Sequence, residues 1–284
     1  MPDTSGILSL RCITKSYGIN NVLRGLNLDL SAGQNIGIIG KNGSGKSTLL
    51  KIIIGLITRF GGSYDRAGKK LSALIETPVF IDGLTGRDNL YYLLEKQYVS
   101  RAIELVNLFG IGEYLDKTVR KYSLGMRHKL ALSIVFAVDA EVILLDEPFN
   151  SLDFDAASHV IDLINDKRIS GKSIVTVTHN ISRIDDYCDK VFLLKDGVLK
   201  ELSDDERIAS EKYRLTFLDE NGMKLALTLL GDYSVELNGE QSILIVVNRE
   251  SLPIISKRLA DCGLIGMVRE ATSIEKALYG EEDD

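Results

Sequence analysis

The stretch that decides the fold of this chain reads Gly40-Lys41-Asn42-Gly43-Ser44-Gly45-Lys46-Ser47-Thr48. It matches the phosphate-loop pattern G-x-x-x-x-G-K-[ST], in which glycines let backbone N–H groups wrap a phosphate chain without interfering side chains. Gly45 opens a helix whose N-terminal dipole favours an anion. We expect Lys46 to reach the β and γ phosphates and the Ser47 hydroxyl to bind Mg²⁺. A chance match is expected in about one chain in 100 of this length and composition, so all nine residues are candidate nucleotide ligands.

A second pattern indicates what is done with the phosphate. Residues 142–145 form an apolar run that ends in Asp146-Glu147-Pro148. At the end of a strand, Asp146 can hold Mg²⁺ through water, and Glu147 can polarise a water against the γ-phosphate. Alone, two such acids are more often solvated carboxylates. Beside a phosphate loop, they predict a hydrolytic pair.

The segments around these motifs predict an α/β domain. Strand patterns cover residues 7–13, 22–30, 35–40, 141–146 and 172–179, and helical patterns cover 46–54, 126–138 and 156–169. Strands that alternate with helices favour a buried, largely parallel sheet. Residues 191–194 and 198–202 predict a hairpin, which makes the sheet mixed. Residues 84–138 lack a good strand pattern, so we expect a helical insertion over about 77–138 of a P-loop cassette spanning 1–203.

The end of the chain follows a different pattern. Residues 207–284 hold 9 Lys or Arg and 14 Asp or Glu, which gives this segment a net charge of −5. Glu220-Asn221-Gly222 predicts a hairpin turn between strands at 213–218 and 223–230, and Asn238-Gly239 predicts a turn before a strand at 243–247. Helices are expected at 252–260 and 273–278, with a strand at 264–268 between them. We therefore expect a small α+β domain at 207–284 that closes a dimer, senses a ligand or caps the sheet. A structural extension that aids dimerisation is the simplest interpretation.

Composition restricts the class of protein. The 284 residues are 45% hydrophobic and carry a net charge of −6, which excludes a disordered or low-complexity chain. The apolar runs are much shorter than the ~20 residues of a membrane helix, and the first residues do not resemble a signal peptide. Three scattered cysteines fit reduced thiols. We therefore expect a cytoplasmic protein, and the acidic balance argues against nonspecific nucleic-acid binding.

Taken together, these motifs resemble those of the ATP-binding-cassette (ABC) ATPases over residues 7–203. Tyr17, in Lys15-Ser16-Tyr17-Gly18, resembles the aromatic residue that stacks on adenine. Tyr122-Ser123-Leu124-Gly125-Met126 occupies the place of the family signature L-S-G-G-Q. Phe149-Asn150-Ser151-Leu152-Asp153 resembles the loop after the catalytic acid, which adds Asp153 to the expected nucleotide contacts. His179 matches the switch histidine that would contact the γ-phosphate.

Two departures from the family pattern narrow the resemblance. The signature has Leu124 and Met126 where Gly and Gln are expected, while Ser123 and Gly125, which would meet phosphate, are kept. Glu76 stands where the family has a glutamine, and its carboxylate can still ligate Mg²⁺ or a water. Both departures are similar to a subgroup of bacterial drug-export cassettes, including those for bacitracin and lantibiotics. They favour an exporter.

Simpler interpretations remain open for several of these side chains. Tyr17 can be an ordinary packed tyrosine, Ser123 can be a helix N-cap, and His179 can be a structural histidine at a strand end. Outside the motifs, His128 and His159 are expected to be structural or solvated, and Arg127 and Lys129 are expected to form a solvated face. Thr85 or Asp88 is expected to lie near a helix N-cap.

The resemblance also implies partners. In this family two cassettes pair head to tail with twofold symmetry, so Ser123 and Gly125 of one chain meet the γ-phosphate held by the other. ATP stabilises the pair and hydrolysis opens it. A separate membrane permease would dock near residues 77–92, which include Pro78, Phe80 and Leu84. The chain would then act as a transporter ATPase on the inner face of the membrane.

Two other functions remain possible on sequence grounds. A cassette ATPase of translation normally carries two cassettes, and one of DNA repair carries a long coiled coil, whereas this chain has one cassette and no sustained heptads. A regulatory module with little hydrolysis is the other alternative. The presence of both Glu147 and His179 weighs against it.

Overall fold

A computed structural model describes residues 6–76, 78–179, 184–203, 211–231, 233–239, 241–247 and 252–270. The chain divides into two compact units, Met1–Leu202 and Ser203–Asp284. In the described part of the chain, no helix is long and apolar enough to cross a bilayer. Whether each unit folds independently as a domain stays a prediction.

The first unit combines nine strands and five α-helices in its described residues. The strands are β1 Gly6–Tyr17, β2 Asn20–Ser31, β3 Asn35–Ile39, β4 Gly61–Asp65, β5 Leu71–Leu74, β6 Val142–Asp146, β7 Ser173–Thr178, β8 Lys190–Lys195 and β9 Val198–Glu201. The helices are α1 Lys46–Ile53, α2 Gly86–Leu93, α3 Lys96–Leu108, α4 Leu124–Ala137 and α5 Phe154–Ile169. This alternation confirms the predicted α/β class.

A six-stranded mixed sheet forms the centre of this unit, in the order β5-β6-β7-β3-β8-β9. The first five strands are parallel, and β9 pairs antiparallel with β8, as the hairpin prediction required. Every residue of β3, β6 and β7 is buried, which explains why these strands are continuous apolar runs. Since these three strands are neighbours, their carboxyl ends lie side by side, and the phosphate loop, Asp146 and Thr178 meet there.

A three-stranded antiparallel sheet lies beside the central one, in the order β2-β1-β4. Alternate residues of β1 and β2 are buried, including Leu8, Leu10, Leu26 and Leu28, and they join the apolar core around α1. Sequence analysis missed β4 and β5. Both are short and partly exposed, so their apolar signal is weak.

Helices α2, α3 and α4 occupy the region in which no strand was expected. Thr85 and Asp88 form a reciprocal capping box at the start of α2, so both candidates for that cap take part. Ser123 caps α4 by accepting a hydrogen bond from the Met126 N–H. Thr77, the expected first residue of the helical insertion, lies outside the described residues.

The second unit has the element order β-α-β-β-α-β. Its elements are β10 Glu211–Phe217, α6 Glu220–Leu229, β11 Ser234–Leu237, β12 Ser242–Val247, α7 Leu252–Arg258 and β13 Leu264–Arg269. The strands form an antiparallel sheet in the order β11-β12-β10-β13, the split β-α-β arrangement of ferredoxin-like modules. Alternate residues of β10 and β12 pack against the two helices, with Leu215, Phe217, Ile243 and Ile245 fully buried.

The hairpin predicted at 220–222 is wrong, and so is the strand predicted at 223–230. Asp219 accepts a hydrogen bond from the Gly222 N–H and begins α6. Met223, Ala226 and Leu230 then place apolar side chains on one helical face and are buried. The Asn238 turn and the helix that begins at Leu252 are confirmed. The helix expected at 273–278 lies outside the described residues.

Candidate nucleotide site

The phosphate loop leaves β3 after Ile39 and enters α1 at Lys46. Gly45 has a φ of +106°, a conformation that residues with a side chain rarely adopt. A Cβ on Gly40 would stand 2.7 Å from the Leu194 carbonyl oxygen and 2.5 Å from Ser44 Oγ. Both positions therefore require glycine, and the loop keeps its backbone N–H groups accessible at the N-terminus of α1.

Lys46 is held beneath this loop. Its Nζ donates to the carbonyl oxygens of Gly40 (2.6 Å) and Lys41 (3.1 Å) and lies 4.0 Å from Glu147 Oε1. Burial lowers the pKa of Lys46 from its ordinary value, and the nearby charges of Glu147 and Asp146 partly oppose that effect. The ammonium group is thus a desolvated cation close to where phosphates would bind.

Asp146 ends β6 with only 5% of its surface exposed. Burial is the main cause of its raised pKa, and the nearby Ser47 hydroxyl and Glu76 backbone N–H partly oppose that effect. Within the described residues, Asp146 Oδ2 and Ser44 Oγ are buried without a hydrogen-bond partner. A buried carboxylate oxygen with spare acceptor capacity, beside a serine hydroxyl, fits the oxygen ligands that Mg²⁺ prefers.

Glu147 lies in a left-handed backbone conformation, with a φ of +50°. Such a conformation costs about 1–3 kcal/mol for a residue other than glycine. Its N–H donates to the Val177 carbonyl. Its carboxylate accepts from the Thr178 hydroxyl (2.9 Å) and the His179 backbone N–H (2.8 Å). The His179 ring Nδ1 is also 2.8 Å from Glu147 Oε1. Strand β7 therefore fixes the orientation of this carboxylate.

These groups surround one cavity of about 260 Å³. It is lined by Val22, Asn42, Gly43, Gly45, Lys46, Ser47, Thr48, Asp146 and Glu147. Predicted loop residues and the predicted acidic pair thus share one cavity. Val22, at the side of the cavity, was not predicted. Its half-buried aliphatic side chain gave no signal of its own.

Tyr17 ends β1 and pairs across the hairpin with Asn20, near Val22. Its surface is 49% exposed, so it is not an ordinary packed tyrosine. Lys15 Nζ lies 4.9 Å from the centre of its ring and donates to the Arg59 carbonyl. A partly exposed ring at this edge is suited to stacking on a base.

Glu76 follows β5 and also has a left-handed φ, +57°. Its carboxylate forms an ion pair with Lys51 of α1, with Oε1 2.5 Å from Nζ. Its backbone N–H meanwhile lies close enough to Asp146 to favour the charged form of that carboxyl and lower its pKa. Glu76 is therefore connected both to the acidic pair and to the helix that begins at the phosphate loop. Sequence analysis did not identify Lys51, because nothing in the sequence places it opposite Glu76.

Ser123, Gly125 and Asp153 are not among the described residues that line the cavity. Ser123 is exposed, while Asp153 accepts from the Ala156 N–H at the start of α5. Gly125 packs so closely on the next loop that an added Cβ would stand 2.6 Å from the Ser151 carbonyl oxygen. The start of α4, with Ser123 and Gly125, thus packs on the loop that ends at Asp153.

The solvated face expected on α4 is wrong. Arg127 and Lys129 do not form a solvated face, since their side chains are 22% and 14% exposed and pair with Asp82 (2.8 Å) and Asp153 (2.6 Å). Both pairs are formed by residues distant in sequence.

Thr178, which donates a hydrogen bond to Glu147, was not predicted as a site residue. Its position directly before His179, at the end of a strand, is the signal that could have identified it.

Comparison with known families gives one match, a model described as ABC transporter, over residues 23–150. The curated relatives include an uncharacterised ABC transporter ATP-binding protein of Bacillus subtilis, YdbJ, 31% identical over 68% of each chain. A lantibiotic transport ATP-binding protein of Streptococcus pyogenes, SrtF, is 28% identical over 67% of this chain and 88% of its own. An O-antigen export ATP-binding protein of Klebsiella pneumoniae, RfbB, is 31% identical over 64% of this chain and 77% of its own.

Among solved structures, the ATP-binding subunit of an ABC transporter superposes with a TM-score of 0.64. It is 28% identical, and the match covers 71% of this chain and 92% of that one.

Proposed function

The chain belongs to the ABC transporter family of ATP-binding proteins, and on that basis we propose that it is the ATP-hydrolysing subunit of an exporter. The observation that carries this proposal is the placement of Glu147. Strand β7 orients its carboxylate at the edge of the cavity that the phosphate loop lines. A loop that only bound nucleotide would not need that arrangement.

Binding uses the loop and α1. The backbone N–H groups of residues 41–48 and the Lys46 ammonium hold the phosphates of ATP, while the exposed Tyr17 ring stacks on the base. When Mg²⁺ is bound it neutralises phosphate charge, and Ser47, Asp146 and Glu76 are the residues that would hold it. The buried unpartnered oxygen of Asp146 supports that assignment.

Hydrolysis uses Glu147 as the general base. Glu147 Oε1 contacts both the backbone N–H and the ring of His179, whereas Oε2 accepts one hydrogen bond, from Thr178, and keeps a further lone pair. Through Oε2, Glu147 can accept a proton from a water that attacks the γ-phosphorus. The bond from that phosphorus to the β-γ bridging oxygen breaks, and ADP and phosphate leave. The His179 ring, in contact with the same carboxylate, assists in placing the γ-phosphate.

A second cassette completes the site. Ser123, Gly125 and Asp153 do not line the cavity of their own chain in the described residues, which supports a partner chain as the source of the corresponding contacts. An identical or related cassette in a head-to-tail pair satisfies this requirement for both chains at once. ATP bound between the two would hold them together until hydrolysis.

The permease surface is proposed at 77–92, of which Thr77 lies outside the described residues. Pro78, Phe80 and Leu84 are only half-exposed there, whereas Val79 is 88% and Tyr92 70% exposed. Exposed apolar side chains grouped on one segment are typical of a protein interface. Docking on a membrane partner would place the chain at the inner face of the membrane.

Export is favoured over import by Glu76 and by the altered signature at Leu124 and Met126. Two of the relatives are named for lantibiotic transport and O-antigen export. The resemblance to lantibiotic-type cassettes and these names point to the same direction of transport.

The test is ATP hydrolysis and transport by the chain purified with its membrane subunit in vesicles. We expect Mg-dependent phosphate release and ATP-driven movement of a lantibiotic or lipid-linked glycan. Glu147→Gln should lower hydrolysis at least 100-fold while ATP still binds. Hydrolysis equal to that of the wild type would remove Glu147 from its role. Hydrolysis by a chain that never co-purifies with a membrane protein would favour a translation or repair ATPase instead.

A further inference from the structure

The loop that follows Glu147 is held in place by the first turns of helix α4. Residues 147–153 connect β6 to α5, and two of them, Glu147 and Ser151, have left-handed φ values of +50° and +61°. Strained backbone of this kind persists only where surrounding groups impose it. Several groups that hold this loop in its strained conformation come from α4.

Two side-chain contacts and one close approach connect the helix to the loop. His128 Nε2 lies 2.9 Å from the Pro148 carbonyl oxygen, and Lys129 Nζ lies 2.6 Å from Asp153 Oδ2. Gly125 presses its backbone on the Ser151 carbonyl. The helix thus holds the loop directly after its catalytic residue, in its middle and at its end.

The His128 contact is the most buried of these. His128 is 6% exposed, and burial lowers its pKa, so the neutral ring is favoured near pH 7. A carbonyl oxygen can only accept, so Nε2 must carry the hydrogen and donate it. Pro148 has no backbone N–H with which to bond to a neighbouring element. Its carbonyl is therefore the group through which the helix can hold the position next to Glu147.

The same loop is also held by β7 and by an aromatic contact. Glu147 N–H bonds to the Val177 carbonyl, and the Phe149 ring lies 5.3 Å from that of Tyr187. His128 is therefore the third group that holds this loop, besides the Val177 carbonyl and the Tyr187 ring. Without it, the backbone of Glu147 can relax from its left-handed conformation, and the carboxylate would move from the place where it meets water.

We propose that His128 is a positioning residue for ATP hydrolysis, which fixes Glu147 by donating a hydrogen bond to the Pro148 carbonyl. This inference rests on the proposed function. It also connects the two sites of a cassette pair. Ser123, which would meet the nucleotide of the partner chain, and His128, which holds the chain's own catalytic loop, are separated by little more than one turn of the same helix.

Three substitutions of His128 test whether ATP hydrolysis depends on a hydrogen-bond donor at the position of Nε2. A glutamine places its side-chain NH₂ where the imidazole Nε2 was, whereas an asparagine places it no farther than Nδ1, and a leucine has no donor. We expect His128→Asn and His128→Leu to lower kcat at least tenfold with the KM for ATP unchanged. His128→Gln should restore kcat to within about threefold of the wild type. His159→Asn, on α5, is the matched control and should not change kcat.

Two further readouts separate positioning from general damage. First, the thermal midpoints of the variants identify any that are poorly folded. Second, kcat and KM are compared for His128→Asn and His128→Gln, which both keep a polar side chain, because a positioning role should change kcat and leave KM unchanged. Equal kcat for the Asn and Gln variants, or a KM that rises in step with the loss of kcat, would overturn the proposal. If the wild type itself released no phosphate from Mg-ATP, the proposed function would fail first, and that outcome is distinct.

Discussion

The ammonium of Lys51 and the carboxylate of Glu76 form an ion pair, with Nζ 2.5 Å from Oε1, on the helix that begins at the phosphate loop. Without that positive charge, the Glu76 carboxylate would be an unpaired negative charge on a residue whose backbone lies close to Asp146, near the proposed phosphate site. The pair is partly exposed, so its worth is about 0.5–1 kcal/mol. We therefore expect Lys51→Met to raise the KM for ATP about two- to fivefold, measured by phosphate release against ATP concentration at saturating Mg²⁺.

Glu76→Gln supplies the control for this prediction. In a chain that already carries Glu76→Gln, Lys51→Met should change KM by less than twofold, because the charge that Lys51 balances is gone. A full effect of Lys51→Met in both backgrounds would mean that the lysine contacts nucleotide by itself.

Thr178 should be required for the rate of hydrolysis but not for binding. Its hydroxyl donates to Glu147 Oε2 and is buried, and a hydrogen bond to a charged group contributes about 1.5–3 kcal/mol. We expect Thr178→Val to lower kcat at least about tenfold, while Thr178→Ser keeps the donor and most of the rate. Nucleotide affinity, measured by fluorescence titration, should be equal in both. Slow hydrolysis by the serine variant as well would assign the effect to packing.

Asp146 is expected to lower the stability of the nucleotide-free fold while it contributes to the binding of Mg-ATP. Its pKa is raised by burial, so the charged form at neutral pH destabilises the nucleotide-free fold. Asp146→Asn should therefore raise the thermal midpoint by about 2 °C at pH 7.5 and reduce the further increase given by Mg-ATP.

The sign of the pH dependence provides a second check on Asp146. A carboxyl with a raised native pKa costs stability as pH rises from its ordinary value of 3.8 through the native value. The gain from Asp146→Asn should consequently shrink as pH falls through that window. Scanning fluorimetry from pH 7.5 to pH 4 measures it. A gain that stays constant across the range would rule out desolvation of this carboxylate as the cause.

The proposed permease surface predicts a selective loss of complex formation. Val79 lies in it and is 88% exposed, and Ile169, at the end of α5, is 81% exposed and outside it. A charge at a desolvated apolar contact costs several kcal/mol. We expect Val79→Asp to abolish co-purification with the membrane subunit and Ile169→Asp to preserve it. Both should hydrolyse ATP like the unmodified subunit when it is alone. Equal binding of the two variants would place the docking surface elsewhere.

The parts of the site that sequence analysis identified are those in which one short segment contains the whole signal. The phosphate loop needs glycines at fixed spacing because of its own backbone, and Asp146-Glu147 ends a recognisable apolar strand. The capping of α4 by Ser123 is local in the same sense. Such features depend on neighbours in sequence, so they can be predicted without a fold.

The side chains that were missed act across long sequence separations. Thr178 reaches Glu147 across 31 residues and Lys51 reaches Glu76 across 25. His128 meets Pro148 across 20. Each of these contacts exists only after sheet order and helix packing bring the segments together. The wrong hairpin at 220–222 has a different cause, because Asp219 competes locally as an N-cap and the helical spacing of Met223 and Ala226 agrees with it.

The register of the second unit has a practical consequence. Tyr213, near the start of β10, pairs with Arg269, at the end of β13. The first and last strands of the unit therefore run side by side at one corner of the sheet. A fluorophore placed at residue 270 would lie next to Arg214, with which Glu270 forms an ion pair. Strand ends this close together can be joined to a second protein by short linkers without stretching either one.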